Sequence, residues 1–145
     1  MDLKHIFALA ARAIISNQQG NILLVRRSKS SRSFPGKWEF PGGKAEVGET
    51  FQESLEREVF EETQLTIMLL HVAGTLEFEI RSRKIACILM ECRAESGEVH
   101  LSYEHEEYAW VPRARLLEYD LVEHFVSFAQ AYTTGAANDV LIEGR

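Results

Sequence analysis

The sequence predicts an α/β protein, a mixed β-sheet sandwiched between helices. Three observations lead there. Strand-like apolar stretches flank one capped amphipathic helix in the middle of the chain. A second helical pattern closes the chain after the last strand. At 145 residues the chain makes one domain, large enough to bury a core. No repeat, linker or low-complexity segment divides it, so residues 1–133 read as a single domain and 134–145 as a C-terminal tail.

The elements follow in order. Residues 6–15 are apolar and suit a strand, Asn17-Gln18-Gln19-Gly20 is a turn, and residues 21–27 return, together a hairpin. Residues 28–37 are polar and basic, closed by Pro35-Gly36, and read as a loop. Residues 38–41 form a short strand that delivers the chain to Gly42 and Gly43. Beyond the central helix, residues 66–80 and 84–93 are strand-like, joined at 81–83, and 94–98 is a turn. Residues 109–111 are a short strand, and Pro112 suits the start of a brief helix through Leu117. Residues 121–132 carry apolar positions at 121, 122, 125, 128 and 129, a helical pattern. Residues 140–145 are a short strand or a frayed end; Ile142-Glu143-Gly144-Arg145 matches a protease-recognition tag as well as a native terminus, and it is assigned no function.

The central helix is the informative element. Thr50 with Glu53 is a capping-box signature, so the helix starts near Phe51. Phe51, Leu55 and Val59 fall within about 80° of one another and form its buried stripe. With Phe51 at zero, Glu58 lies at about −20°, Glu62 at about +20° and Glu61 at about −80°. Carboxylates thus sit on or beside the inward face, where an unpaired charge costs several kcal/mol. Arg57, at about −120°, is the one basic residue of this helix and cannot neutralise all three. A hard divalent cation can, and oxygen ligands around a partly hydrated ion describe magnesium or manganese. The competing reading is a solvated acidic face.

Charge and cysteine usage set outer bounds. The net charge of −6 argues against a duplex nucleic-acid partner. An acidic protein acting on an anionic substrate needs local positive charge or metal. Cys87 and Cys92 lie on one strand with an odd spacing, so they point to opposite faces, with no metal spacing and no disulfide expected. With no signal peptide or membrane span, a cytoplasmic location is the expectation. The five histidines show no ligand spacing, and His105 reads as a surface residue.

Gly43, then Glu49, then Arg57-Glu58-Val59-Phe60-Glu61-Glu62-Thr63-Gln64-Leu65 resembles the signature of the Nudix hydrolases. That signature runs Gly, five residues, Glu, seven residues, Arg-Glu-aliphatic-any-Glu-Glu-any-Gly-aliphatic. The one departure is Gln64 where the family has Gly, at a helix end that favours a left-handed cap; Gln there costs roughly 1 kcal/mol. Trp38-Glu39-Phe40-Pro41-Gly42-Gly43-Lys44 and Gly48-Glu49-Thr50 are similar to the MutT branch, whose members cleave nucleoside triphosphates to a monophosphate and pyrophosphate. The resemblance covers roughly residues 4–130.

The resemblance implies a Nudix-type α/β/α sandwich and a site. Glu58 and Glu62 would hold Mg2+ (or Mn2+) with a glycine carbonyl from Gly42-Gly43, Glu61 would share or support that site, and Arg57 would orient the carboxylates. A further glutamate would come from the loop before Trp110: Glu104 by spacing, with Glu106 and Glu107 as rivals. Arg27 matches a phosphate- or sugar-contacting position, Arg83 is similar, and Lys44 is grouped with them. Phe40 matches a base-contacting wall or is ordinary core, and Glu123 lies where the family often places an Asn or Asp that reads the base edge. In such enzymes water attacks the inner β-phosphorus. The implied partner is a small nucleotide, oxidised or modified forms included, acted on by a monomer or homodimer with no nucleic acid or membrane. The alternatives are a Nudix hydrolase of nucleotide sugars or ADP-ribose, and a non-catalytic nucleotide-binding module.

Overall fold

The computed structural model describes residues 7–135. Readings that fall on residues 1–6 and on the tail from residue 136 lie outside the described residues. Among the described residues seven strands form one mixed sheet: β1 (Ala8–Ser16), β2 (Ile22–Arg27), β3 (Trp38–Glu39), β4 (Gly42–Lys44), β5 (Thr66–Ile80), β6 (Arg83–Ser96) and β7 (His105–Val111). Helix α1 (Phe51–Thr63) lies between β4 and β5, and α2 (Val126–Thr134) follows β7. The main path runs β3-β2-β1-β6-β5, with β7 on the free edge of β2. β1 and β6 run parallel over their whole overlap, whereas the other strand-to-strand pairings among the described residues are antiparallel.

Strand alternation builds two cores. Ala11, Ala13 and Ile15 of β1, Leu23 and Val25 of β2, and Cys92 of β6 face α1 and pack on Leu55 and Val59. Ile14, Leu24 and Leu89 face the other way, onto Leu116, Val122, Phe125, Ala129 and Tyr132 of the C-terminal segment. Leu55 and Val59 are completely buried, each worth about 1.5–3 kcal/mol by removal from water. Cys87 and Cys92 lie on opposite faces of β6, both buried and free.

The hairpin of β1 and β2 is abbreviated. Its turn is as the sequence suggests, with Asn17 Oδ1 accepting from the amides of Gln19 and Asn21. The register pairs Ser16 with Ile22; beyond it, β1 turns that edge to β4, Ala11 opposite Gly43 and Arg12 opposite Gly42. The chain can insert there because of Gly42. Its φ is 142°, and a Cβ would stand 2.1 Å from the Ala11 carbonyl oxygen, well inside van der Waals contact. The result is a glycine strand wedged into the middle of the sheet, directly under α1.

Helix α1 begins and ends by local rules. Thr50 Oγ1 accepts from the Glu53 amide at 3.1 Å, and Glu53 Oε1 accepts from the Thr50 amide at 2.9 Å. At the other end Gln64 is left-handed, φ 62° and ψ 16°, its amide donating to the Phe60 carbonyl.

Three boundaries differ from expectation. β6 continues to Ser96 where a turn was expected at 94–98, because Ser96 pairs with Thr66 and their hydroxyls meet at 2.6 Å; the chain turns at Gly97, φ 102°. β7 starts at His105 rather than at residue 109, since its whole length pairs with β2. The last helix starts late. The Val122 amide donates to the Trp38 carbonyl, and the Trp38 amide to Asp120. This tie holds residues 120–122 against β3, so only a 3-10 turn, Glu123–Phe125, precedes α2. The brief helix after Pro112 is also 3-10, Arg113–Glu118.

Candidate active site

Helix α1 lies over β4, and its inward carboxylates meet the glycine strand. Glu62 is the deepest, its side chain 3% exposed, with Oε1 accepting from the Gly42 amide at 3.3 Å. Glu58 lies one turn earlier, so close to Gly43 that a Cβ there would be 2.7 Å from its carboxyl. Glu61 points outward, 56% exposed. These positions follow from the helical period.

Arg57 organises the outer part of the cluster. Its Nε and Nη2 grip Glu49 at 2.6 and 3.0 Å in a two-point fork, and Nη1 reaches Glu58 at 3.0 Å and Glu61 at 3.2 Å. The Glu49 hydrogen bond leads in raising Arg57 above the usual guanidinium value, while that bond pulls Glu49 below the usual carboxylate value. Glu62 lies outside this set. Burial, with Glu39 and Glu58 as like charges, pushes its carboxyl well above the usual value against the pull of Arg12 and the Gly42 amide.

Behind Glu62 lies a buried polar network that sequence reasoning missed. Glu39 of β3 accepts from Arg27 Nη1 at 3.0 Å and His105 Nε2 at 2.8 Å, and Arg12 Nη1 is 3.4 Å away. Burial opposes ionisation of Glu39, yet Arg12, the His105 hydrogen bond and Arg27 outweigh it and hold its carboxyl at about 2. His105 is therefore buried, not the surface residue that the sequence suggested. Its side chain is 2% exposed, because pairing with Arg27 brings it inside the sheet. One signal was available: Arg12 is the only charged residue in the apolar run 6–15, and a charge there needs a buried partner.

A cavity of about 820 Å³ adjoins this network. Arg27, Gly43, Lys44 and Arg83 line it, together with Arg12 and Glu39. Two expected residues do not. Phe40 is fully buried, edge-on to Phe125 and Phe128 in the core, so it is core rather than a base-contacting wall. Glu123 is exposed at the start of its 3-10 turn. The next residue, His124, lines the cavity instead, stacked on Phe78 with ring centroids 3.7 Å apart. Burial, then Arg12, lowers His124 to about 4, so it is neutral near pH 7.

The three acidic rivals before Trp110 separate. Glu104 lines a hollow of about 200 Å³ that shares Arg27 with the main cavity. Glu106 and Glu107 lie on β7 and each pair with Arg26 at 3.1 Å.

Among the described residues no three His, Cys, Asp or Glu side chains already converge closely enough to hold a metal ion. Glu58 and Glu61 are engaged with Arg57, at 3.0 and 3.2 Å. The donor chemistry nevertheless fits a hard divalent cation: Glu58 and Glu62 sit against the two glycines, and Glu62 is a buried carboxylate without a full counter-charge. Glu58, Glu61, Glu62, a carbonyl of Gly42 or Gly43, and Glu104 would be the ligands.

A family model described as NUDIX domain matches residues 6–132. The chain is 31% identical over 113 residues to Nucleoside triphosphatase NudI of Escherichia coli (strain K12 / DH10B), covering 70% of this chain and 80% of that protein. Among solved structures it is similar to the MutT protein from Methanosarcina mazei Go1, with TM-score 0.83 and 35% identity over 93% of this chain and 99% of that one. A C. elegans Ap4A hydrolase, at TM-score 0.73 and 21% identity over 90% of this chain and 98% of that one, shares the fold alone.

Proposed function

Because the chain belongs to the NUDIX family and is a MutT-like hydrolase acting on phosphoric anhydride bonds, we propose that it cleaves nucleoside triphosphates to a monophosphate and pyrophosphate with Mg2+ or Mn2+. The observation that carries this reading is Glu62: a carboxylate short of counter-charge and buried against a glycine strand, whose Gly43 and Lys44 line a cavity with Arg27 and Arg83. A structural acidic face has no need of that burial. The name of the NudI relative, a nucleoside triphosphatase, supports a triphosphate substrate.

The chain's own groups divide the work. Arg27, Lys44 and Arg83 bind and orient the phosphates. Arg57, gripping Glu49, holds Glu58 and Glu61 in place. When bound, the divalent cation neutralises phosphate charge and lowers the pKa of water. Water's oxygen bonds to the β-phosphorus, the bridge to the α-phosphate breaks, and the monophosphate leaves. The water's proton passes to a carboxylate, either Glu58, set against the cavity-lining Gly43, or Glu104, at the smaller hollow. The working unit is residues 1–133, as monomer or homodimer, in the cytoplasm; among the described residues no helix is long and apolar enough to cross a membrane.

The test is a panel of normal and oxidised nucleoside triphosphates, ADP-ribose and a nucleotide sugar, run in 18O water and scored by kcat/KM. The reading expects the triphosphates to lead and the label to appear in pyrophosphate. Preference for ADP-ribose or a nucleotide sugar would overturn it, and so would label in the monophosphate.

A further inference from the structure

The main cavity has two unlike ends. Arg32, Lys44, Arg81 and Arg83 line it with exposed side chains and give it a basic mouth. Arg12 lies deeper, its side chain 15% exposed, with its guanidinium carbon 5.6 Å from the centre of the Phe125 ring. His124 packs on that same ring at 4.4 Å and on Phe34 at 5.5 Å, besides its stack with Phe78. Arg12 therefore shares the inner end with three cavity-lining rings, Phe34, Phe78 and His124.

A nucleoside triphosphate fits such a cavity in one sense. Its phosphates carry the charge and are costly to strip of water, so they belong at the exposed basic mouth. The flat base gains by leaving water for the aromatic end. The part of the base farthest from its sugar bond then lies deepest. In a pyrimidine that is position 4, and in a purine it is position 6. Bases differ there in the group they present, a carbonyl oxygen or an amine.

The deep arginines favour the carbonyl. Arg27 already has Nε on the Ser33 carbonyl, Nη1 on Glu39 and Nη2 on Ser31. Arg12 gives Nη1 to the Phe40 carbonyl at 3.0 Å, with Glu39 beside it at 3.4 Å. Its Nε is buried without a partner, and its Nη2 makes no hydrogen bond among the described residues. A guanidinium has only donors to offer. Glu39, the one carboxylate lining the cavity, is 3% exposed and taken up by Arg27 and His105. A carbonyl at the inner end can accept from Arg12 Nη2, whereas an amine would turn its own N–H groups against it.

We propose that Arg12 is a specificity-determining residue that donates to the base through Nη2. It selects triphosphates whose base carries a carbonyl at position 4 of a pyrimidine or position 6 of a purine, over those with an amine there. This rests on the triphosphate reading given above.

The experiment compares kcat/KM within two matched pairs, dUTP against dCTP and dITP against dATP, with Mg2+ present. Each pair exchanges a carbonyl for an amine at the deep position. The wild type should favour the carbonyl member of each pair by about 10-fold or more, the scale of a base-edge contact made or refused. Arg12→Gln can both donate and accept, so both ratios should fall toward one. A thermal melt checks that this variant folds. If it does not, Arg12→Lys decides: it keeps the charge facing Glu39 but loses the planar fork, and it should lose part of each ratio. An arginine with a merely structural role would lower all the substrates alike, so unchanged ratios in a folded variant would overturn the role of Arg12. A wild type that cleaves dCTP or dATP as well as its partner would overturn the base selection and leave the hydrolase reading intact. Cleavage of none of these triphosphates would overturn both.

Discussion

Alanine at Gly42 and at Gly43 should fail in different ways, although the residues are adjacent. At Gly42 the new Cβ would lie 2.1 Å from the Ala11 carbonyl oxygen and 2.8 Å from Arg12 Cα, with φ at 142°. The obstacle is backbone on the central strand, so β4 must move away by roughly 1 Å to reach ordinary carbon–oxygen contact. Strain at a glycine-only φ costs about 1–3 kcal/mol, and forcing volume into packed structure costs about 1–3 kcal/mol more. The sum, about 2–6 kcal/mol, is a large part of the roughly 5–15 kcal/mol that holds such a domain together. At Gly43 the φ is unexceptional and the obstacle is the Glu58 carboxyl, 2.7 Å away, a side-chain end that can swing aside. Gly42→Ala should therefore lower the urea midpoint sharply or prevent folding. Gly43→Ala should melt within about 1 kcal/mol of wild type, the range of a tolerated substitution, yet lose most of its kcat because Glu58 is displaced. Urea titrations and steady-state kinetics on both variants check this. A Gly42→Ala protein of wild-type stability would refute the wedge argument, and a fully active Gly43→Ala protein would refute the placement of Glu58.

Other consequences are sharper at single residues. Glu62 is raised well above the usual carboxylate value, first by burial, so in EDTA its proton favours the folded state. Wild-type stability should fall as pH rises above that usual value, and Glu62→Gln should abolish the fall; melts in which the variant tracks wild type across pH 4–8 would count against it. Glu58→Gln should lower kcat at least ~100-fold without unfolding the protein. Glu104→Gln should lower kcat more modestly, and Glu106→Gln and Glu107→Gln should stay near wild type because both side chains are engaged with Arg26; a larger effect at Glu106 or Glu107 would reassign the loop carboxylate. Gln64→Gly should raise stability by up to about 1 kcal/mol, the left-handed penalty it removes, with kcat unchanged.

What was readable in the sequence was local. The start of α1 follows from Thr50 and Glu53, the inward turn of Glu62 from the helical period, and the left-handed Gln64 from standing where the Nudix signature has glycine. The sandwich followed from the order of elements, strands interrupted by one helix and closed by another, and β1, β2 and β6 do send apolar residues to both helical layers. What escaped depended on distant pairings. His105 is inside only because β7 lies along β2, and Glu39 is ionised only because Arg12 and Arg27 converge on it from two other strands. Phe40 could have been wall or core until Phe125 and Phe128 packed on it. The late start of α2 is likewise a tertiary effect, since Trp38 captures residues that carry helical spacing.

The central claim is that the inward carboxylates serve a cation-dependent cleavage of a triphosphate. The most direct measurement is 31P NMR of a deoxynucleoside triphosphate incubated with the purified protein, first in EDTA and then with excess Mg2+. The triphosphate should be unchanged in EDTA and should yield monophosphate and pyrophosphate in equal amounts once Mg2+ is present. Equal turnover in EDTA, or diphosphate with orthophosphate as the products, would contradict it.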